Sequence, residues 1–167
     1  MKCSWWKFIV GFLLYLFFHQ AYNLLPGALG LIFGEGFGSI YAHMKMLFYA
    51  YLLVSIIDYF LHRQEIKLEA FLYARMLILA AVPWMMIIIY YAVEALGIIL
   101  PHAVDITWAI LVTVFGLYFS IRLEEPFENM PLRGSAKAMI VLAFATALIT
   151  YVGFSFSVPN NFFITVN

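Results

Sequence analysis

The residues best suited to chemistry are histidines and carboxylates at the ends of long apolar stretches. Three of the four histidines, His19, His43 and His102, border different apolar stretches on what we predict to be the same side of a membrane. Imidazole nitrogens and carboxylate oxygens are ligands for zinc and other divalent metals. The same groups also serve as general acids and bases. A divalent metal site or an acid–base site is therefore one hypothesis.

This candidate outer-face site draws on residues from separate parts of the chain. They are His19, Tyr22, Glu35, His43, Lys45, Glu94, His102 and Asp105. The sequence has no HExxH or similarly compact ligand spacing, so a site requires the helices to bring these residues together. The competing interpretation is that they cap helices, pair with one another and meet lipid headgroups. Asp105 follows Pro101 near a predicted helix start and suits such a capping role.

A second polar group forms an inner polar face on one predicted helix. Its members are spaced by 8, 4, 3 and 4 residues, which places them on one side of that helix; they are His43, Tyr51, Ser55, Asp58 and His62. At the predicted cytoplasmic end, Asp58 can pair with His62 or with an arginine, for which the candidates are Arg63, Arg75 and Arg122. This face is either a proton or ion relay or a structural ion pair that fixes helix packing.

The composition shows which elements must position these residues. Of the 167 residues, 66% are hydrophobic and only 11% are charged, whereas about a quarter of residues are charged in soluble proteins. We therefore predict an all-α, polytopic membrane helix bundle surrounded by the lipid bilayer. No nucleic-acid partner is expected, because the net charge is zero and no run of basic residues occurs.

A helix needs about 20 residues to cross a membrane. Five apolar stretches of the sequence approach this length. In a single integral membrane domain covering residues 1–167, we predict helices over about 5–22, 44–61, 72–93, 104–121 and 136–156. The stretch 24–33 is too short to cross and contains Pro26, so we predict a short interfacial or re-entrant segment there. The acidic sequence RLEEPFENMPLRG is predicted to be a solvated turn.

The distribution of basic residues predicts the orientation. With the N-terminus in the cytoplasm, eight of the nine lysines and arginines lie at the inner side, and only Lys45 lies at the outer side. Cytoplasmic loops of membrane proteins carry this kind of positive excess. The C-terminus is then outside, and the expected location is the bacterial cytoplasmic membrane.

Three short motifs resemble a bacterial family of small multipass membrane proteins classed only as a domain of unknown function. They are H-x-x-Y (His19, Tyr22), S-x-x-x-H-x-K (Ser39, His43, Lys45) and an Asp-Ile pair (Asp105, Ile106). The resemblance covers nearly the whole chain and implies that these polar residues belong to one outer-face site. The family's second motif looks like N-E-S-x-x-E-H-x-K, and Gly38 and Ala42 stand here in place of its two glutamates. That departure favours binding or assembly over catalysis.

These features are best explained by a small membrane protein that acts as a non-catalytic binding, assembly or accessory component. Small residues such as Gly116 and Ser120, four positions apart, favour close packing within the chain, with a second copy or with a membrane protein partner. One alternative is an outer-face metal- or ligand-binding site, or an enzyme acting on a lipid or small molecule. Another is a small transporter or channel subunit that uses Asp58. The sequence leaves these alternatives open.

Overall fold

The computed structural model describes residues 5–34 and 40–156, which form six α-helices. They are α1 (Trp5–Leu24), α2 (Ala28–Phe33), α3 (Ile40–His62), α4 (Leu68–Ala95), α5 (His102–Glu128) and α6 (Gly134–Gly153). The predicted all-α helix bundle is confirmed, and neither described range contains a strand. The short α2 lies within the predicted segment 24–33 and is separated from α1 at Pro26.

Four of these helices, α3, α4, α5 and α6, are long and apolar enough to cross a membrane. The chain is accordingly a membrane protein built as a helix bundle. The sequence predicts five crossing helices, and the described α1 does not reach the same apolarity although it has 20 residues. The reason lies in its polar side chains, which are Lys7, His19, Gln20 and Asn23.

Helix α3 is the centre of the bundle. It contacts α1, α2, α4 and α5, and 72% of its apolar stretch is buried, against 28%, 28% and 17% for α4, α5 and α6. Large side chains along it, including Met44, Phe48 and Tyr51, are almost fully enclosed. The outward faces of the surrounding helices are apolar and exposed, as expected for helices that face lipid.

Successive long helices run in opposite directions, so the bundle has two ends. Helices α1, α4 and α6 begin at one end, where α3 and α5 finish; there Lys7 contacts Asp58 and Glu124. We term this the ion-pair end. At the other end, the rings of His19 and His43 lie with their centres 5.8 Å apart. We term this the histidine end.

A close approach of α1 to its neighbours positions Lys7. Gly11 lies one turn after Lys7 on the same side of α1. A Cβ atom at Gly11 would lie 2.9 Å from Leu117 Cδ1 of α5 and 3.3 Å from Val54 Cγ2 of α3. The glycine therefore permits tight packing that carries the lysine side chain between α3 and α5.

Helix α5 departs most from its predicted bounds. The sequence predicts a helix over about 104–121 followed by a solvated acidic turn, whereas α5 continues to Glu128 and includes Pro126. The prediction of a solvated turn is wrong at Glu124, which is only 8% exposed. Its carboxylate can be buried because cations from α1 and α4 neutralise it.

Candidate functional site

Four charged side chains from four helices meet at the ion-pair end. They are Lys7 of α1, Asp58 of α3, Arg75 of α4 and Glu124 of α5, and each is between 5% and 8% exposed. Lys7 Nζ lies 2.5 Å from Asp58 Oδ2 and 2.6 Å from Glu124 Oε2. We term these four residues the ion-pair cluster. Its two positive and two negative charges balance one another.

The guanidinium of Arg75 binds the same two carboxylates from the other side. Its Nη2 atom lies 3.3 Å from Asp58 Oδ2 and 3.1 Å from Glu124 Oε2, and Nη1 lies 2.8 Å from Glu128 Oε1. The guanidinium carbon stands 4.3 Å from the centre of the Phe71 ring, a cation–π distance. The buried Nε atom has no acceptor among the residues that the structure describes, which is uncommon for a buried donor.

Polar residues of α3 extend the cluster in both directions. Toward the core, the Tyr51 hydroxyl donates to Glu124 Oε1 over 3.1 Å, and Ser55 donates to the Tyr51 carbonyl oxygen over 2.8 Å. Toward the surface, His62 Nδ1 lies 3.1 Å from Asp58 Oδ1. The sequence offers His62 or an arginine as the partner of Asp58, and the structure shows contacts with both His62 and Arg75.

The balance of charge makes the cluster costly to disturb. Burying an ion is unfavourable by several kcal/mol, and only close pairing with the opposite charge offsets that cost. Removal of one partner from a buried pair destabilises proteins by about 3–5 kcal/mol, because the other charge is left buried without compensation. The cluster therefore ties α1, α3, α4 and α5 into one arrangement.

A pocket of about 700 Å³ adjoins the cluster and is termed the end pocket. The four cluster residues line it, together with His62, Glu65, Arg122, Glu125 and Glu128. Glu65 and Glu125 are exposed, so the rim of the pocket reaches the surface of the bundle. Its wall combines fixed buried charges with a charged rim, an arrangement suited to a polar or charged ligand.

At the histidine end, α1 and α3 are joined by a smaller polar group. Tyr15 Oη and His43 Nδ1 are 2.6 Å apart and share a hydrogen bond, whose donor depends on the tautomer of the imidazole. The ring of His19 lies beside that of His43. These contacts place His19 and His43 close together, as the outer-face hypothesis requires for this pair. Glu35, also predicted to belong here, lies outside the described residues.

Lys45, the one basic residue predicted at the outer side, is a buried residue of the histidine end. It is 3% exposed, and its ammonium donates to the Leu31 carbonyl oxygen over 2.7 Å and to Ser155 Oγ over 3.1 Å. Tyr41 similarly donates to the carbonyl oxygens of Thr150 and Tyr151. Hydrogen bonds to backbone carbonyls thus connect α2, α3 and α6 at this end.

His102 and Asp105 belong to a separate polar group between α4 and α5. The Tyr90 hydroxyl donates to Asp105 Oδ1 over 2.8 Å, and Trp108 Nε1 donates to the Tyr90 carbonyl oxygen over 3.2 Å. Asp105 therefore holds Tyr90 instead of capping the helix, and the residue before α5, Pro101, makes no side-chain cap. His102 itself is exposed.

The convergence of His19, His43 and His102 that a metal site would require does not occur. Within residues 5–34 and 40–156, no three His, Cys, Asp or Glu side chains form a group that could hold a metal ion. The physical reason is that the start of α5 packs on α4 through Tyr90, whereas His19 and His43 lie between α1 and α3. Tyr22 and Glu94, the other predicted members, are exposed.

Two of the four cluster residues, Lys7 and Glu124, are not assigned to a site by the sequence. In the sequence, Lys7 contributes only to the predicted orientation, Arg75 is one of three candidate arginine partners for Asp58, and Glu124 falls in a predicted solvated turn. A signal was present for Arg75, because it falls inside a predicted spanning stretch, where a charge normally faces the bundle interior. Glu124 offered no comparable signal, since it lies among other acidic residues.

No protein-family model, curated protein or solved structure matches the chain. The family resemblance of the three short motifs therefore stays a prediction, and the function has to be argued from the residues themselves.

Proposed function

We propose that this chain is a multipass membrane protein that acts as a non-catalytic binding component through the end pocket. The observation that carries the proposal is the position of the pocket against four buried, mutually paired charges. Paired charges hold the wall of the pocket in place before a ligand arrives. Such preorganisation improves binding, because little ordering is left to occur on association.

The proposed topology has five crossing helices, α1, α3, α4, α5 and α6, with the ion-pair end on the cytoplasmic side. Most lysines and arginines of the described helices and turns support this orientation; they are Lys7, Arg63, Lys67, Arg75, Arg122, Arg133 and Lys137. Lys45 lies at the histidine end. A cytoplasmic excess of basic residues of this size is typical of multipass proteins.

The topology can be tested by labelling single cysteines in intact bacterial cells. The natural cysteine, Cys3, is first replaced by serine. Ile99→Cys places a thiol in the turn between α4 and α5, where Ile99 is 93% exposed, and Gln64→Cys places one in the exposed turn between α3 and α4. We expect a membrane-impermeant maleimide to label Ile99→Cys in intact cells and Gln64→Cys only after permeabilisation. The reverse pattern would overturn the orientation, and equal labelling would overturn the crossing pattern.

Binding can be tested by native mass spectrometry of the full chain extracted from membranes in dodecylmaltoside. We expect the wild type to retain a bound non-covalent mass and Glu125→Arg to lose most of it, because the substitution inverts a charge on the pocket rim. Glu94→Arg is the matched control, since Glu94 is also exposed but lies at the histidine end. A wild type without any bound mass would contradict the proposal, as would equal retention by the wild type and Glu125→Arg.

A further inference from the structure

An apolar groove of about 580 Å³ runs along α5 and is termed the α5 groove. Its lining includes Trp108, Leu111, Phe115 and Tyr118 of α5, with Phe8 of α1 and Ile89 of α4. Leu111, Phe115 and Tyr118 are each more than 40% exposed, so the groove faces the surroundings of the bundle. An aliphatic and aromatic lining of this kind matches an acyl chain better than a polar molecule.

The α5 groove and the end pocket lie on one continuous face of α5. Positions 108, 111, 115, 118, 122 and 125 recur every three or four residues, which is the spacing of a single helix face. The first four line the groove, and the last two line the pocket. The guanidinium carbon of Arg122, which lines the pocket, stands 6.0 Å from the ring centre of Tyr118, which lines the groove. The walls of the two cavities are therefore neighbours at this point. On α1, Phe8 lines the groove and its neighbour Lys7 lines the pocket.

The length of the groove matches one leaflet of a membrane. Ten residues of α-helix separate Trp108 from Tyr118, and at 1.5 Å per residue they span about 15 Å. The hydrocarbon core of a bilayer is roughly 30 Å thick, so one leaflet occupies about 15 Å of it. A lipid with its acyl chain in the groove would consequently place its headgroup at Arg122 and the end pocket.

The charges of the pocket select among headgroups. Its lining contains five carboxylates, Asp58, Glu65, Glu124, Glu125 and Glu128, against three basic residues, Lys7, Arg75 and Arg122. The ion-pair cluster accounts for two of each, which leaves Glu65, Glu125 and Glu128 against Arg122. Of these three carboxylates, Glu128 also contacts Arg75. This surplus of negative charge favours a ligand with an ammonium group. Arg122 in the lining offers donors for a phosphate oxygen.

We infer that a phospholipid with a primary-amine headgroup, such as phosphatidylethanolamine, binds lengthwise along α5. Its ammonium meets the rim carboxylates, its phosphate meets Arg122, and one acyl chain fills the α5 groove. The inference rests on the proposed function, because it names the ligand class of the same pocket. A primary amine is required because it donates hydrogen bonds to carboxylates, whereas a quaternary choline group cannot.

The experiment is a competition among three lipids with identical acyl chains. Delipidated full-length protein in dodecylmaltoside receives equal amounts of phosphatidylethanolamine, phosphatidylcholine and phosphatidylglycerol, and native mass spectrometry measures the bound fractions. We expect the wild type to prefer phosphatidylethanolamine over phosphatidylcholine by about tenfold, equivalent to ~1.4 kcal/mol. Glu125→Arg should abolish the preference, because it replaces a carboxylate on the rim with a cation.

A groove variant separates the acyl chain from the headgroup. Leu111→Trp should fill the α5 groove and lower the binding of all three lipids while leaving their relative order unchanged. The matched control is Leu142→Trp on α6, where Leu142 is 69% exposed and lies outside the groove. This control should bind lipid as the wild type does. Equal binding by Leu111→Trp and Leu142→Trp would overturn the groove as the acyl-chain site.

The outcomes for the inference and for the proposed function are distinguishable. If the extracted wild type carries a bound mass that Glu125→Arg loses, but the three lipids bind equally, the pocket binds a different ligand and the lipid inference fails alone. If no lipid binds and the extracted wild type carries no bound mass, both fail. A preference for phosphatidylglycerol would also overturn the inference, because it would show that the rim selects an anion.

Discussion

The two ends of the bundle join their helices in different ways. At the ion-pair end, four full charges from four helices are buried within hydrogen-bond distance of one another. At the histidine end, hydroxyl and ammonium groups donate to backbone carbonyls, and aromatic rings fill the space between helices. The rings of Phe33 and Tyr49 have centres 5.0 Å apart, and those of Phe48 and Tyr151 4.8 Å apart.

This difference predicts how each end responds to substitution. A charge cluster depends on every member, since loss of one charge leaves an unbalanced charge in a region of low dielectric. Aromatic packing and single hydrogen bonds contribute smaller, more separable amounts, about 0.5–1.5 kcal/mol each. Substitutions at the ion-pair end should therefore have larger and more strongly coupled effects.

The largest effect is expected for Arg75→Met. The substitution keeps most of the apolar volume but leaves Asp58 and Glu124 with Lys7 as their only buried cation among the described residues. We expect a loss of about 3–5 kcal/mol in the free energy of unfolding, measured by titration with sodium dodecyl sulfate in dodecylmaltoside micelles. Arg63→Met, at an exposed position of the same end, is the control and should be neutral. Equal stability of the two variants would show that the cluster does not hold the helices together.

A double-mutant cycle sharpens this result. Lys7→Met and Asp58→Asn should each destabilise the protein, whereas together they remove one charge of each sign and restore the balance. We expect the double variant to be more stable than the sum of the single effects predicts, by about 1–3 kcal/mol. Additive effects in the same titration would indicate that Lys7 and Asp58 do not interact in the membrane protein.

The next largest effect is expected at the histidine end for Gly34→Ala. A Cβ atom there would lie 2.2 Å from the backbone nitrogen of Tyr22 and 2.8 Å from the carbonyl oxygen of Gly30. Backbone atoms cannot move aside cheaply, so we expect a loss of about 1–3 kcal/mol and displacement of α2 from α1. The control is Gly134→Ala, whose Cβ would meet nothing within 4 Å. The measurement is thermal unfolding in micelles. Equal unfolding temperatures for the two variants would show that Gly34 does not pack closely against Tyr22.

A smaller effect is expected for Tyr15→Phe. It removes the 2.6 Å hydrogen bond to His43 Nδ1 without changing the ring that packs at the α1–α3 contact. The expected loss is about 1 kcal/mol, the usual contribution of one neutral hydrogen bond. Tyr22→Phe, at an exposed position of the same helix, should leave stability unchanged. A loss as large as that of Arg75→Met would erase the contrast between the two ends.

The smallest effect is expected for Lys137→Ala at the ion-pair end. Lys137 pairs with Glu69 on the surface, where solvent screens the charges and the side chains lose conformational freedom on pairing. We expect no measurable change in the thermal midpoint, in contrast to Arg75→Met at the same end. A clear drop in the midpoint would show that location at this end, and not burial, determines the contribution of an ion pair.

Several features of the fold could be predicted from sequence because they depend on local properties. Long apolar stretches predicted the helices α3 to α6, and Pro26 predicted the break before α2. The spacing of Asp58 and His62 predicted their contact, since residues four apart face each other on any helix. The end of α5 could not be predicted, because the acidic residues after position 121 are polar by every local measure. Burial of Glu124 depends on Lys7 and Arg75, which are distant in the chain.

That this is a helical membrane protein follows from the amino-acid sequence alone, because side-chain apolarity and helical spacing act within one stretch of chain. Which polar residues meet depends on how the helices pack. The helix packing keeps His102 apart from His19 and His43, although one hypothesis from the sequence required all three to converge. It joins Lys7, Asp58, Arg75 and Glu124 into one cluster. The physical reason is that helix order and close approach around α3 depend on packing among helices far apart in the chain. Contacts such as that of Gly11 with Leu117 establish this packing.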